Sequence, residues 1–449
     1  MTRETVLALG LLLTTATKFR APGLPIGPGE LLLVVWILGT LLQQRRGRAV
    51  PITPGLRRMM IFWGWFTVAE SLGTLTALVI HDRHDTGLFL HDVLAYPLVG
   101  TMACLSVLGS DAEPRLRQVA RSMLLWGSVL LAPQLAAGLH LFALPLFDPW
   151  FGDRFEGWST NPNQLAFLCA VLVLCALQLA DMATRSRDRW AIILGMIVPL
   201  WIGRLTKTDT FTFALLAAIP VFMLGKVRLW LAWQGARPSL RTAFAAILVL
   251  TLPAALLSAA PLVARSAHDT GFLTKNLMKN GGKEAKEEAD LRLELWREAI
   301  DRGLSAGMLG LGPGPHLPIP PALVAARETE PTLDKGAGHP PVNGTPDFEA
   351  HNTLLDLFTQ GGVIADVSLL WLTVRALLRT WTAQMAGLTA LLVGLMLFAM
   401  TNLIVREPIF WFGIAFCLVA GEGGQRPHAG GRLGQPYQPR RAGAERCAG

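Results

Sequence analysis

The stretch EAHNTLLDLFTQGG, residues 349–362, places a titratable imidazole directly before an apolar run long enough to enter a membrane. We expect His351 at the boundary between water and lipid on the outer side of the membrane. Neutral imidazole accepts a proton near neutral pH because its unperturbed pKa is about 6.5. A base in this place suits a reaction between lipid-linked molecules. The alternative is that His351 and Asn352 only cap the following helix, as asparagine does well.

Two arginines are candidate anion ligands on the same side. Arg154 in GDRFEGWSTNPNQLA and Arg292 in DLRLELW are both predicted outside the cytoplasm, where the usual charge bias disfavours cations. A guanidinium binds a phosphate group through two parallel hydrogen bonds, which is a reason to keep one there. The alternative is a surface ion pair, which Glu288 and Glu298 offer to Arg292.

A third group of charges is in GRLTKTDTFTF, where Arg204, Lys207 and Asp209 crowd an outer turn. They form either an anion site or a charged helix cap. Two carboxylates, Asp356 and Asp366, fall within the predicted span that follows His351, where their cost in lipid implies a bundle-facing or water-lined position. Asp356 lies five residues beyond His351 and is therefore expected off its helical face.

The segment HDRHDTGLFLHD, residues 81–92, is rich in possible metal ligands but has no recognised metal spacing. It is either a metal site or a polar interfacial loop, and we predict no metal and no cofactor. No Walker-type loop, dinucleotide glycine fingerprint or zincin histidine pair is present. This favours a reaction whose energy is already stored in the substrate.

Apolar helices must position these side chains. The chain has 449 residues, of which 52% are hydrophobic and 16% charged, and its mean hydropathy is +0.42. It is therefore predicted to be an all-α polytopic membrane protein. A helix needs about 20 apolar residues to cross the hydrocarbon layer. We predict about twelve transmembrane helices, at residues 4–18, 29–44, 59–80, 92–109, 122–144, 163–181, 189–203, 210–225, 242–263, 352–374, 382–402 and 408–422.

Arginine-rich segments in alternate loops orient the bundle with both termini in the cytoplasm. Residues 1–263 then hold nine spans, 264–350 a large periplasmic loop, 351–422 three spans and 423–449 a disordered cytoplasmic tail. Within the loop, NGGKEAKEEADLRLELWREAIDR has the period of an amphipathic helix. The net charge of +8 comes largely from loops and tail, so it reports membrane topology and not nucleic-acid binding.

Three ordered stretches resemble the superfamily of O-antigen ligases and O-antigen polymerases, bacterial envelope glycosyltransferases. They are RFEGWSTNPNQLA, then RLELWREAI followed by GLGPG, and then HNTLLDLFTQGG. The last is similar to the ligase pattern of His-Asn, nine residues and Gly, here His351, Asn352 and Gly362. The resemblance covers roughly residues 150–420, and Ala365 stands where relatives usually have Gly, Thr or Tyr.

The resemblance implies a C-type glycosyltransferase fold and metal-independent transfer of a glycan from undecaprenyl diphosphate to an acceptor hydroxyl. It implies that His351 is the general base and that Arg292 and Arg154 bind the diphosphate. Arg204 or Lys207 would replace a Ser-Arg pair of the relatives. The supporting polar residues would be Asn352 and Asn163.

The partners implied are a carrier-linked glycan, membrane lipids and an acceptor, either lipid A core or a second carrier-linked glycan. The expected location is the bacterial inner membrane, with the active site facing the periplasm. The His-Asn spacing favours a ligase. The alternatives are a polymerase of O-antigen or exopolysaccharide repeat units and, more remotely, a secondary transporter, against which the outer position of the charges argues.

Overall fold

Apolar runs become helices because a helix satisfies every backbone polar group within lipid. The computed structural model describes residues 2–20, 26–46, 51–83, 85–142, 148–233, 283–318, 346 and 348–422. Its helices are α1 (Arg3–Leu13), α2 (Pro28–Arg46), α3 (Pro54–Ile80), α4 (Thr86–Ser106), α5 (Ala112–Gly138), α6 (Pro162–Met182), α7 (Ser186–Gly195), α8 (Ile197–Leu205), α9 (Asp209–Trp233), α10 (Lys283–Ser305), α11 (Thr353–Thr382), α12 (Ala386–Ala399) and α13 (Pro408–Leu418). The predicted span 242–263, much of the predicted periplasmic loop and the 423–449 tail lie outside the described residues.

Six helices of the described residues are long and apolar enough to cross a membrane: α3, α4, α5, α6, α9 and α11. The helices α12 and α13 are apolar but shorter. Two short strands, β1 (Trp150–Phe151) and β2 (Arg154–Phe155), pair antiparallel before α6. The chain is therefore mostly helical, with one small hairpin that the all-α prediction lacked.

The predicted single span 189–203 is instead two helices, α7 and α8, which meet at Met196. Pro199 has no backbone N–H and cannot bond the carbonyl of Gly195, four residues earlier. That carbonyl accepts a hydrogen bond from Ser128 Oγ of α5 at 2.6 Å. The neighbouring helix α5 thus supplies the hydrogen bond that the Gly195 carbonyl lacks within its own helix.

The most buried helices lie at the centre of the bundle. In α6, every residue from Leu165 to Ala176 is buried, and α13 is buried over its whole length, with Phe410, Trp411 and Phe412 inaccessible. Helices that are apolar on all sides are typical of such central positions. The helices that carry charged side chains pack around this centre.

Helix α11 is interrupted at Gly362, whose φ is 63°. The segment Met308–Gly314 packs into the break: Leu311 N and Gly312 N donate to the carbonyls of Thr359 and Gln360, both at 2.8 Å. A Cβ at Gly362 would lie 2.1 Å from the Met308 carbonyl oxygen, so only glycine fits. The loop satisfies backbone groups that the kink frees, as lipid requires. It also brings the end of α10 against α11.

Candidate active site

His351 lies in a tight turn that is held at both sides. Its φ is 52°, a left-handed conformation that is uncommon for residues other than glycine. The Asp356 carboxylate accepts from the backbone N–H of Ala350 at 2.7 Å and of Asn352 at 3.2 Å. The Asn352 side chain caps α11 by accepting from Leu354 N at 3.1 Å. The cap is therefore Asn352, and the His351 ring lines a cavity.

Helix α10 packs on the same turn. Its buried Leu295 and Ala299 contact Leu317 and Ala350, and Trp296 Nε1 donates to the Ala350 carbonyl at 3.2 Å. This docking fixes the face of α10 that carries Arg292, whose charge acts on His351. The amphipathic helix thus brings the predicted cation near the predicted base.

The cavity has a volume of about 460 Å³. Apolar side chains of α2, α4 and α6 form one part of its wall, including Val34, Leu98 and Phe167. The rest is polar, and its ionisable members are Arg20, Glu30, His91, Glu349, His351, Arg406 and Glu407. Such a cavity, polar on one side and apolar on the other, fits an amphiphilic ligand.

The charged groups of the wall are mostly paired. Arg406 Nη1 donates to Asp92 Oδ1 at 2.9 Å, and its Nη2 contacts Glu349. Arg20 contacts Glu30. Hydrogen bonds and opposite charges hold these side chains in defined positions.

The His351 side chain is exposed and lines the cavity, but the protein atoms around it partly desolvate the imidazole. Burial lowers the pKa of this imidazole below its usual value, Glu349 raises it, and Arg292 and Arg406 lower it. The net pKa is lowered, because desolvation and cations disfavour the charged imidazolium. His351 is therefore neutral and able to accept a proton near neutral pH.

Arg154 lies just behind the cavity wall, at the start of β2. Its Nη2 donates to Asn163 Oδ1 at 2.7 Å and to Thr208 Oγ1 at 3.1 Å, and its Nε donates to the Thr206 carbonyl at 3.1 Å. Asn163 itself lines the cavity. Arg154 is thus one hydrogen bond from the wall, and its position is fixed by the start of α6 and the turn after α8.

Arg204 and Lys207 are exposed and do not line the cavity. Arg204 Nη1 donates to Thr212 Oγ1 at 3.2 Å, and Lys207 Nζ contacts Asp153 Oδ2 at 2.6 Å. Two threonines of this turn, Thr206 and Thr208, contact Arg154 instead. An anion-binding role for the two cations stays a prediction.

The aspartates of the acidic and histidine-rich segment, residues 81–92, each make a different structural contact. Asp82 contacts Arg302 at 3.2 Å, Asp85 caps α4, and Asp92 binds Arg406. In the part of the chain that the structure describes, no three His, Cys, Asp or Glu side chains are grouped as metal ligands. His84 lies outside the described residues.

Sequence reasoning missed the cluster of Arg406, Asp92 and Glu349. A signal was present in LIVREP, since Arg406 is a cation in a short segment between two predicted spans, on the predicted outer side. Arg154 is a candidate for the same reason, since cations are usually depleted on the outer side of the membrane.

Residues 170–372 match the family model described as O-antigen ligase. The resemblance to the O-antigen ligase and polymerase superfamily is confirmed. The matched region contains His351, Arg292, Arg204 and Lys207, whereas Arg154 and Arg406 lie outside it. No curated protein matches the chain.

The described helices indicate a multi-pass membrane protein. The matched region, residues 170–372, resembles a glycosyltransferase-like family whose activity is of the O-antigen ligase or polymerase type. The substrates of this family are lipid-linked glycans. A transporter is not favoured by this match.

Proposed function

We propose that the protein is an O-antigen ligase-type enzyme of the bacterial inner membrane. It transfers a glycan from undecaprenyl diphosphate to a hydroxyl of lipid A core on the periplasmic face, without a metal ion. The observation that carries the proposal is the His351 turn. A neutral imidazole, held by Asp356 and by α10, lines a cavity whose wall is polar on one side and apolar on the other.

His351 acts as the general base. The acceptor hydroxyl oxygen attacks the anomeric carbon of the donor sugar, and its proton passes to an imidazole nitrogen. A positioned base of this kind typically contributes about 10²–10⁴-fold to the rate. The lowered pKa of His351 supports the role, since it keeps the ring unprotonated before the reaction.

Arg292 and Arg154 stabilise the leaving group. The bond from the anomeric carbon to the diphosphate breaks, and its electron pair remains on the diphosphate oxygen. Fixed guanidinium groups near that oxygen stabilise the developing charge, and arginine keeps its own charge throughout. The bonds of Arg154 to Asn163, Thr206 and Thr208 support such a fixed position.

Two substitutions test the mechanism. His351→Ala and Arg292→Ala should each abolish glycan transfer in purified, correctly inserted protein. Arg297→Ala is a matched control because it removes an exposed arginine from the same helix, and it should retain transfer. Normal transfer by both test variants would eliminate the mechanism.

A chelator tests the absence of a metal. Transfer should continue at the same rate in excess EDTA, because the guanidinium groups neutralise the diphosphate. Loss of transfer that one divalent ion restores would refute this part of the proposal.

The products of a deletion strain separate ligase from polymerase. Loss of a ligase leaves long glycan chains on the carrier, whereas loss of a polymerase leaves single repeat units on lipid A core. We expect the first pattern. The second would assign the same chemistry to a different acceptor.

A further inference from the structure

Four arginines meet at the end of the bundle opposite to His351. Arg57 and Arg58 lie in the first turns of α3, and Arg375 and Arg379 lie near the end of α11. Arg58 is within electrostatic range of the other three. We call these four residues the arginine cluster.

One carboxylate faces the cluster. Glu422 Oε1 lies 3.8 Å from Arg379 Nη2, and burial raises the Glu422 pKa while Arg379 and Arg58 lower it. Glu113 is also near Glu422 but is paired with Arg117 at 2.9 Å. Within the described part of the chain, the Glu422 carboxylate leaves most of the positive charge of the four guanidinium groups uncompensated.

Two donors of the cluster lack an acceptor. Arg58 Nη1 and Arg379 Nε are buried atoms that have no hydrogen-bond partner within the described ranges. A buried donor without an acceptor is unfavourable. Their placement in one cluster indicates an anionic ligand, and a phosphate group fits guanidinium donors best.

The cluster lies at the level where such a ligand is abundant. The predicted topology places the start of α3 and the end of α11 at the cytoplasmic surface. Phosphates of anionic lipids lie at that surface and attract basic side chains. We propose that the arginine cluster binds the phosphate group of an anionic lipid of the cytoplasmic leaflet.

A phosphate bound by arginines of both helices would link α3 to α11. At the level of the kink, Gly73 of α3 packs so closely that a Cβ would lie 2.3 Å from the Gln360 carbonyl oxygen. A phosphate held by Arg58 and Arg379 links the same two helices at their other end. The lipid therefore supports the helix that carries the His351 turn, independently of the transfer chemistry.

Lipid binding by the purified full chain tests the proposal. In nanodiscs of phosphatidylcholine with or without phosphatidylglycerol, the protein should retain phosphatidylglycerol and unfold at a higher temperature in its presence. Arg58→Gln combined with Arg379→Gln should weaken retention, on the order of fivefold for each arginine. Arg187→Gln is the matched control, because it removes an exposed arginine of α7 from the same predicted membrane side.

A variant that is expected to increase lipid retention distinguishes lost binding from misfolding. Glu422→Gln removes the competing carboxylate and should strengthen phosphatidylglycerol retention, a gain that damage to the fold does not produce. Equal loss in Arg187→Gln would show a general surface-charge effect and overturn the proposal. Displacement of the lipid by inorganic phosphate would also overturn it, because the ligand would then be free phosphate.

Discussion

Two cavities lie on opposite faces of α4, and their linings differ. One face, with His91, Leu94 and Leu98, belongs to the active-site cavity. The other, with Tyr96 and Gly100 among others, faces a groove of about 620 Å³ between α3 and α4. The first holds ion pairs, whereas the groove is mainly aromatic and aliphatic.

The one acidic side chain that lines the groove is Glu70, and its two carboxylate oxygens have no hydrogen-bond partner among the described residues. In the active-site cavity, Arg406 contacts both Asp92 and Glu349. Charges that take part in chemistry must be held in place by neighbouring groups. The comparison therefore predicts strong effects of substitution on the cavity side and weak effects in the groove.

The largest effect is expected from Arg406→Gln. It leaves Asp92 and Glu349 without their shared cation, and breaking a buried charge pair costs about 3–5 kcal/mol. The free energy of unfolding should fall by that amount, and transfer should fall with it, as measured by denaturant titration and a glycan-transfer assay. Asp153→Asn breaks the exposed pair with Lys207 and should cost only about 0–1 kcal/mol. Equal losses of unfolding free energy in the two variants would contradict the distinction between the buried ion pairs of the cavity and an exposed ion pair.

The next effect is expected from Asp356→Asn. Ala350 N and Asn352 N donate to different oxygens of the carboxylate. An amide replaces one of these oxygens with an NH2 group, which cannot accept, so the His351 turn should loosen. A misplaced catalytic group can cost about 10²-fold, and we expect this loss in kcat with KM nearly unchanged. The matched control is Asp366→Asn in the same helix, which should change kcat by less than about twofold. A loss confined to KM would contradict a positioning role.

Asp356 also shows where sequence reasoning failed. On an ideal helix, residues five apart such as His351 and Asp356 point in different directions. The helix begins only at Thr353, and the preceding turn folds over its end. The Asp356 carboxylate therefore meets the backbone of the turn, a contact that helical periodicity does not predict.

Other features also separate into those that a local sequence pattern predicts and those that depend on distant contacts. The amphipathic pattern around Leu295 and Ala299 was sufficient to predict α10, because one apolar face must be buried. The two helices at 186–205 and the break at Gly362 were not predicted. Both depend on which distant group satisfies a free carbonyl or N–H, Ser128 in one case and the Met308–Gly314 loop in the other.

A smaller effect is expected on the pH dependence of transfer. The base must be neutral, so the rate should fall as the pH falls through the His351 pKa, which lies below about 6.5. Glu349 raises this pKa, so Glu349→Gln should move the acidic limb to lower pH. Rates measured between about pH 5 and 8 will show this shift, and a limb that does not move would exclude His351 as the base.

The smallest effect is expected from Glu70→Gln in the groove. The change removes a carboxyl group that has no hydrogen-bond partner in the described part of the chain, so no ion pair is lost. Transfer should stay within about twofold, and the free energy of unfolding should change by less than about 1 kcal/mol. The same isosteric change on the cavity side, Glu349→Gln, removes a charge partner of Arg406 and should be more severe. If Glu70→Gln instead lowers transfer tenfold, the groove belongs to the active site, and α4 separates two parts of one substrate-binding region.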